Sequence, residues 1–397
     1  MSDPALDAAG SSLPLSPSQP AATLRARSDA RADSAGKEHV IDAMRGFAAL
    51  LVAYFHCRQV EWVGMQAFHQ SVGHSFNLST IAAYLTFPIA WGSAGVPIFF
   101  VISGYCIHRG GALRLAKNPA YRLDAANFWV RRFARIYPVL LAALVLTLAL
   151  DWVSLQLPPV SHKIREIGLQ AFLVNLFSLQ GVAGKTYGSN GALWTLSLEV
   201  QFYAIYPMLF ALRRRLGMTS VLAIVAVING VSAYVLERHD IQFFTSYWFS
   251  WMLGAWIADA KARTAPDVRS SGWLYVLAVA FIALGCVAFH FGQYGAFQFW
   301  ALGFAFYLYK ALERPQSASA DSAGMRLLSR FGDFSFSLYL IHLPIFVLLS
   351  SILFRSSLQM SIWPSFGYML VAAPVAYLFY RLVELPAMRW SASFKPR

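Results

Sequence analysis

The sequence predicts an all-α integral membrane protein, a bundle of about ten transmembrane helices with both termini in the cytoplasm. Three observations predict it. Of 397 residues, 57% are hydrophobic and only 13% charged, with a mean hydropathy of +0.50, outside the balance of soluble domains. The apolar residues gather in stretches close to the roughly 20 residues that cross a bilayer. The Lys and Arg behind the net charge of +13 sit in short connections between those stretches, where they orient a membrane protein rather than bind nucleic acid.

Residues 1–38 are rich in Ser, Ala and Pro without apolar periodicity, and read as a disordered cytoplasmic tail. They lack the basic start, apolar core and small-residue cleavage site of a signal peptide, so the first membrane helix is expected to do the targeting. The membrane domain spans 39–390, with crossings at roughly 41–60, 89–108, 128–150, 194–212, 219–236, 243–260, 272–290, 297–312, 331–354 and 364–384, and 391–397 form a short tail. With the N-terminus inside, the inner connections and the tail from 381 hold 21 Lys and Arg, against six outside: Arg58, Lys163, Arg165, Lys185, Arg238 and Arg355. The segment 167–181, IGLQAFLVNLFSLQG, cannot be an eleventh span without placing Arg213, Arg214 and Arg215 outside, so it reads as interfacial or re-entrant. Cys57, Cys106 and Cys286 have the spacing of neither a disulfide framework nor a zinc site, and no metal is expected. No soluble catalytic domain separates from this pattern, so any chemistry is built among the helices.

Ionisable groups inside a span cost at least ~2.5–3.5 kcal/mol on insertion scales, so each one points to a protein-lined cavity. In RGFAALLVAYFH, Arg45 and His56 are eleven residues apart, which brings them to about 20° of one helix face and separates them by roughly 16 Å along the axis. Both can line one pore, with the imidazole of His56 as a general base near neutral pH. The next span, GSAGVPIFFVISGYCIH, mixes Gly92, Gly95, Pro97, Ser103 and Gly104 into its length, as in helices packed closely around a cavity. In FWVRRFARIYP, Arg131 and Arg135 share a face and Arg132 flanks it, and three guanidiniums at one helix end suit a polyphosphate. Glu199, in LWTLSLEVQFYAIYP, belongs to the same outer half of the bilayer as His56 and could orient its imidazole or act beside it as an auxiliary acid. In FGDFSFSLYLIHLPIF, His342 falls near mid-membrane, where a polar contact across the bundle and a part in catalysis are both open.

These pieces resemble, in order and over residues 40–385, the acyltransferase-3 family of integral-membrane acyltransferases: IDAMRGFAALLVAYFH, GSAGVPIFFVISGYCI, FWVRRFARIYP, WTLSLEVQFYAIYP and SFSLYLIHLPI. The resemblance implies ten membrane helices and a multi-pass protein of the cell (inner) membrane. It implies an acyl-CoA donor, usually acetyl-CoA, taken from the cytoplasm as a substrate rather than held as a tight cofactor, and a hydroxyl of a surface, exported or lipid-linked saccharide as acceptor. His56 matches the family's essential histidine, Arg45 its paired cation, Arg132 and Arg135 the RxxR element that engages the donor, and Glu199 the glutamate of the fourth motif. Asp42, Ser103, Trp194, Tyr203, Ser337 and His342 are the remaining substrate or structural candidates. The fourth motif reads SLEVQFY rather than the common pair of adjacent glutamates, so the resemblance supplies no second carboxylate there. The sequence also shows no C-terminal hydrolase-like domain, so transfer is expected to finish within the membrane unit or with a partner.

Beside this reading stand a proton-coupled transporter, which also needs intramembrane His, Glu and Arg, and a catalytically silent scaffold. No inverted repeat is evident, and the arginines gather at one mouth, which favours a one-sided donor. The acceptor's identity and the oligomeric state stay open.

Overall fold

The computed structural model describes residues 21–73, 76–264, 270–313 and 322–394, with side chains from His39 onward. Residues 1–20 of the expected tail and 395–397 lie outside the described residues. Its helices are α1 (Ala21–Glu61), α2 (Met65–Val72), α3 (Leu78–Leu85), α4 (Gly95–Lys117), α5 (Ala125–Leu155), α6 (Leu169–Leu176), α7 (Trp194–Leu216) and α8 (Met218–Glu237). They continue with α9 (Trp248–Arg263), α10 (Trp273–Ala288), α11 (Gln293–Ala311), α12 (Ala323–Asp333), α13 (Ser335–Phe354), α14 (Trp363–Phe379) and α15 (Leu385–Ser393). A turn of π-helix, Tyr380–Glu384, joins the last two.

Seven described stretches are long and apolar enough to cross a membrane: His39–Glu61, Leu78–Lys117, Ala125–Leu155, Gly191–Leu216, Met218–Leu236, Ser335–Phe354 and Trp363–Ser393. The other three expected spans coincide with α9, α10 and α11, helices of 16, 16 and 19 residues. The segment 167–181 forms only the eight-residue α6, a length of roughly 12 Å that cannot cross the bilayer. The crossing expected at 331–354 is cut in two. Phe334 leaves helical geometry (φ −113°, ψ 19°), Ser335 turns its hydroxyl onto the carbonyl of Gly332 at 2.8 Å, and the amphipathic α12 separates from the apolar α13. At the N-terminal end α1 begins at Ala21, inside the stretch read as a tail, and α15 carries helix to Ser393.

Side-chain burial sorts the helices into layers. In α13, 72% of the membrane-length window is buried, against 17% in α8 and 17% in the stretch formed by α14 and α15, so α13 is central and the others are peripheral. α13 packs on α1, α5 and α14, while α4 packs on α1, α9 and α11. Close approach comes from small residues, as read from the sequence. A methyl group at Gly104 of α4 would overlap the carbonyl of Trp251, and one at Gly254 of α9 would overlap that of Val101. The two backbones therefore touch, which any larger side chain would prevent.

Prolines inside the helices leave carbonyls free, and polar side chains of neighbouring segments take two of them. Pro207 lacks the N–H that would bind Tyr203 O, and Trp129 Nε1 of α5 donates there at 3.1 Å. Pro344 releases Leu340 O, which accepts from Asn190 Nδ2 at 2.8 Å. The second bond fastens the segment before α7 to α13. Asp151 adds a tether to the same segment, accepting from Ser189 N at 2.7 Å and Ser189 Oγ at 2.6 Å.

Candidate active site

The segment FWVRRFARIYP opens α5, whose first turn is capped by Asp124 Oδ1 accepting from Asn127 N at 3.0 Å. That start sets the phase of the arginines. Arg132 and Arg135, three residues apart, face inward between α1, α4, α7 and α13, while Arg131 stays exposed and offers only its carbonyl, to Ser391 Oγ at 2.6 Å. The cluster expected to act as three guanidiniums therefore contributes two to the interior.

These two line a cavity of about 240 Å³ with Arg45, Ser103, Glu199 and Tyr203. Phe99, Phe100 and Ile136 give it apolar walls. Arg45 pairs with Asp42 at 3.3 Å. Glu199 lies beside the hydroxyls of Ser103 and Tyr203, which are 3.1 Å from each other, and within electrostatic reach of Arg135 and Arg45. Arg132 stands 5.7 Å over the ring of Phe128. Among the described residues neither Arg132 nor Arg135 forms an ion pair with a carboxylate. Three guanidiniums and one carboxylate line the cavity. Asp42 compensates Arg45, and Glu199 and Glu384 lie within electrostatic reach of Arg135, so Arg132 is the guanidinium with no acid near it among the described residues. An enclosed cation of that kind favours an anionic ligand. Cys106 also opens onto this cavity.

His56 lies further along α1, past the cavity rather than in its wall. Its Nδ1 is 2.9 Å from His342 Nε2 on α13, and His342 Nδ1 is 3.0 Å from Leu338 O. The expected partnership of His56 with Glu199 is thus replaced by a pair of histidines. Glu199 lies at the level of the cavity with Arg45, whereas α13 packs on α1 and brings His342 to His56. Between the cavity and this pair stands Tyr339, which lines the cavity, accepts from Thr195 Oγ1 at 2.8 Å and has its ring centre 5.8 Å from that of His342.

The remaining candidates divide. Asp42 braces Arg45, and Ser103 and Tyr203 line the cavity. Trp194 packs on Tyr247 and Phe297 outside it. Ser337 is buried and donates from N (3.2 Å) and Oγ (2.6 Å) to Glu384 Oε2. Glu384, in the π-helical turn and 1% exposed, is a residue that the sequence reading missed, and its charge reaches Arg135 and Arg45. Applying to the last span the cost of an intramembrane carboxylate would have found it. Among the described residues no group of three His, Cys, Asp or Glu is placed to hold a metal.

Comparison with known proteins bears on this geometry. A family model described as an acyltransferase domain matches residues 38–381. The chain is 31% identical over 172 residues to a putative peptidoglycan O-acetyltransferase, YrhL, of Bacillus subtilis, an alignment covering 40% of this chain and 26% of that protein. It is 24% identical over 404 residues to nodulation protein 10 of Rhizobium leguminosarum, covering 92% of this chain and 97% of the relative. Against the O-acetyltransferase OatA of Staphylococcus aureus, identity is 25% over 330 residues, 75% of this chain and 53% of the relative. The chain thus spans about a quarter and about half of the two relatives named as O-acetyltransferases, and nearly all of the third. No solved structure matches it significantly.

Proposed function

We propose, because this chain belongs to the acyltransferase family whose model it matches, that it is a multi-pass membrane O-acyltransferase. It moves an acyl group, acetyl by preference, from acyl-CoA to a hydroxyl of a cell-surface, exported or lipid-linked glycan. The observation that carries the reading is the arginine-lined cavity in which Arg132 and Arg135 form no ion pair with a carboxylate among the described residues. Acetylation and glycans enter from the printed names of relatives, O-acetyltransferase and peptidoglycan O-acetyltransferase. In this account the basic end of the bundle faces the cytoplasm, ten helices cross the inner membrane, and the tails 1–38 and 391–397 lie on the cytoplasmic side.

Arg132 and Arg135 bind donor phosphate, each able to offer a two-pronged set of N–H groups. A cavity of about 240 Å³ is below the ~300–1,000 Å³ of common ligand clefts, so it receives the slender acyl-bearing arm up to the diphosphate that Arg132 and Arg135 hold, and the adenosine stays outside. Arg45, held by Asp42, lines the path. The thioester reaches His56 once the Tyr339–Thr195 contact parts. His56 then takes the proton from the acceptor hydroxyl, whose oxygen attacks the thioester carbonyl. The C–S bond breaks, and the leaving thiolate takes the proton back from the imidazolium, giving ester and free CoA. Glu199, one of the cavity's four charged side chains, balances the guanidiniums and keeps the hydroxyls of Ser103 and Tyr203 oriented.

His56→Ala, expressed at the level of the unaltered protein, tests the reading in cells. Surface and lipid-linked glycans should lose one acetyl mass, as they do when the protein is absent. Retention of that mass would remove His56 from the chemistry.

A further inference from the structure

The two histidines fix one another's protons. Leu338 O is a carbonyl and can only accept, so His342 Nδ1 carries its hydrogen. In a neutral imidazole the other nitrogen is then bare, which makes His342 Nε2 an acceptor. His56 Nδ1, 2.9 Å away, must donate to it. The ring centres are 5.2 Å apart and the planes differ by 10°. The centres exceed the nitrogen separation by about two ring radii, so the rings lie side by side and the hydrogen bond runs in their common plane, along the lone pair of His342. His56 Nε2 is left without a hydrogen, and among the described residues no other group bonds to the His56 ring. His342 is fully buried, whereas His56 is half-buried, so the bare nitrogen sits on the accessible member of the pair.

We propose that His342 is a positioning residue that holds His56 in the one tautomer, Nδ1–H with Nε2 bare, in which it can take a proton from the acceptor hydroxyl. This rests on the reading of His56 as the general base. The backbone of α13 is the end of the relay: Leu338 O orients His342, His342 orients His56, and His56 meets the substrate. No carboxylate is needed in this arrangement, which explains why Glu199 can face the cavity instead. When His56 becomes an imidazolium both its nitrogens donate, so the bond to His342 Nε2 persists through the transfer and the ring does not turn.

The test compares purified His342→Gln, His342→Leu and His56→Ala with the unaltered protein, as kcat and KM for acetyl-CoA per mole of monodisperse protein. A glutamine carboxamide oxygen can accept from His56 Nδ1–H, and a leucine cannot. His342→Leu should lose about 100-fold in kcat with KM for acetyl-CoA changed by less than about twofold, and His342→Gln should recover to within about tenfold of the unaltered kcat. Should His342→Leu fail to accumulate in the membrane, His342→Met takes its place in the comparison. An apolar variant with unaltered kcat would overturn the inference. So would a glutamine variant as slow as the apolar one while binding acetyl-CoA normally. If His56→Ala is inactive in either case, the proposed function stands and only the role of His342 falls; if His56→Ala is active, the underlying reading falls as well.

Discussion

Removing Arg132 and Arg135 should weaken the binding of the acyl donor and leave the rest of the bundle in place. Both guanidiniums line the cavity and neither forms an ion pair with a carboxylate among the described residues; Arg132 can be deleted without uncovering a buried acid, whereas Arg135 also lies within electrostatic reach of Glu199 and Glu384. Hydrogen bonds to charged groups contribute roughly 1.5–3 kcal/mol each, so Arg132→Ala or Arg135→Ala should raise the Kd for acetyl-CoA by about 10- to 150-fold. The double variant should lose less than the product of the two, because both arginines meet one ligand. Arg132→Lys keeps the charge without the planar fork and should fall between. Cys106, which opens onto the same cavity, supplies the assay. In a Cys286→Ser background, with Cys57 fully buried, maleimide modification of Cys106 is followed against acetyl-CoA concentration. The protection midpoint should move by the stated factor in the variants and rise with salt in the unaltered protein. An unchanged midpoint in the double variant, or no protection of Cys106 at any donor concentration, would refute the reasoning.

Other consequences of the structure are open to equally direct tests. Gly254→Val should separate α4 from α9, because the carbonyl of Val101 already occupies the space of a first methyl group; a loss of about 3 kcal/mol should appear as a lower Tm in detergent. Asn190→Ala leaves the Leu340 carbonyl, already freed by Pro344, without its donor, and should cost about 1–3 kcal/mol and speed proteolysis of the segment before α7. Glu313, beyond the end of α11, is pushed up by burial, but Lys261, Lys310 and Ser270 outweigh that and hold it at about 2, below its unfolded value. Its stabilisation is therefore complete above the unfolded carboxylate range and is lost as pH falls toward the folded value. Glu313→Gln should flatten the decline of Tm between pH 5 and 2, taking about those limits from the shift; an unaltered decline would assign acid sensitivity elsewhere.

The sequence made the inward direction of α1 legible, because helical phase is a local property. Arg45 and His56, placed on one face by their spacing, both look toward α13 in the structure, Arg45 into the cavity and His56 onto His342. The partner of His56 was not legible. The sequence grouped Glu199 with His56 by an expected depth alone, which says nothing about which helix stands beside α1; the structure sets Glu199 in the cavity and brings His342 to His56. The same limit acts on α5: spacing grouped Arg131 with Arg135, whereas packing turned Arg132 and Arg135 inward and left Arg131 outside. The break at Phe334 did carry a signal, since Gly332 and Asp333 stand just before it and Ser335 just after; a single span over 331–354 passed over that polar punctuation. Small residues were a better guide. Gly104 was expected to permit close approach, and it is where the backbones of α4 and α9 meet. Glu384 escaped because it ends an apolar run, where a charged residue is usually taken to reach for the interface; the π-helical turn instead carries it inward to Ser337.

The central claim is that one protein binds an acyl thioester by a cationic cavity and hands its acyl group to a hydroxyl through His56. Purified protein in liposomes, supplied with radiolabelled acetyl-CoA and a saccharide acceptor extracted from cells that lack it, tests the claim most directly. The account predicts labelled ester in the acceptor and free CoA thiol in equal amounts, with both lost in His56→Ala. Label crossing the bilayer without release of CoA, or equal transfer by His56→Ala, would contradict it.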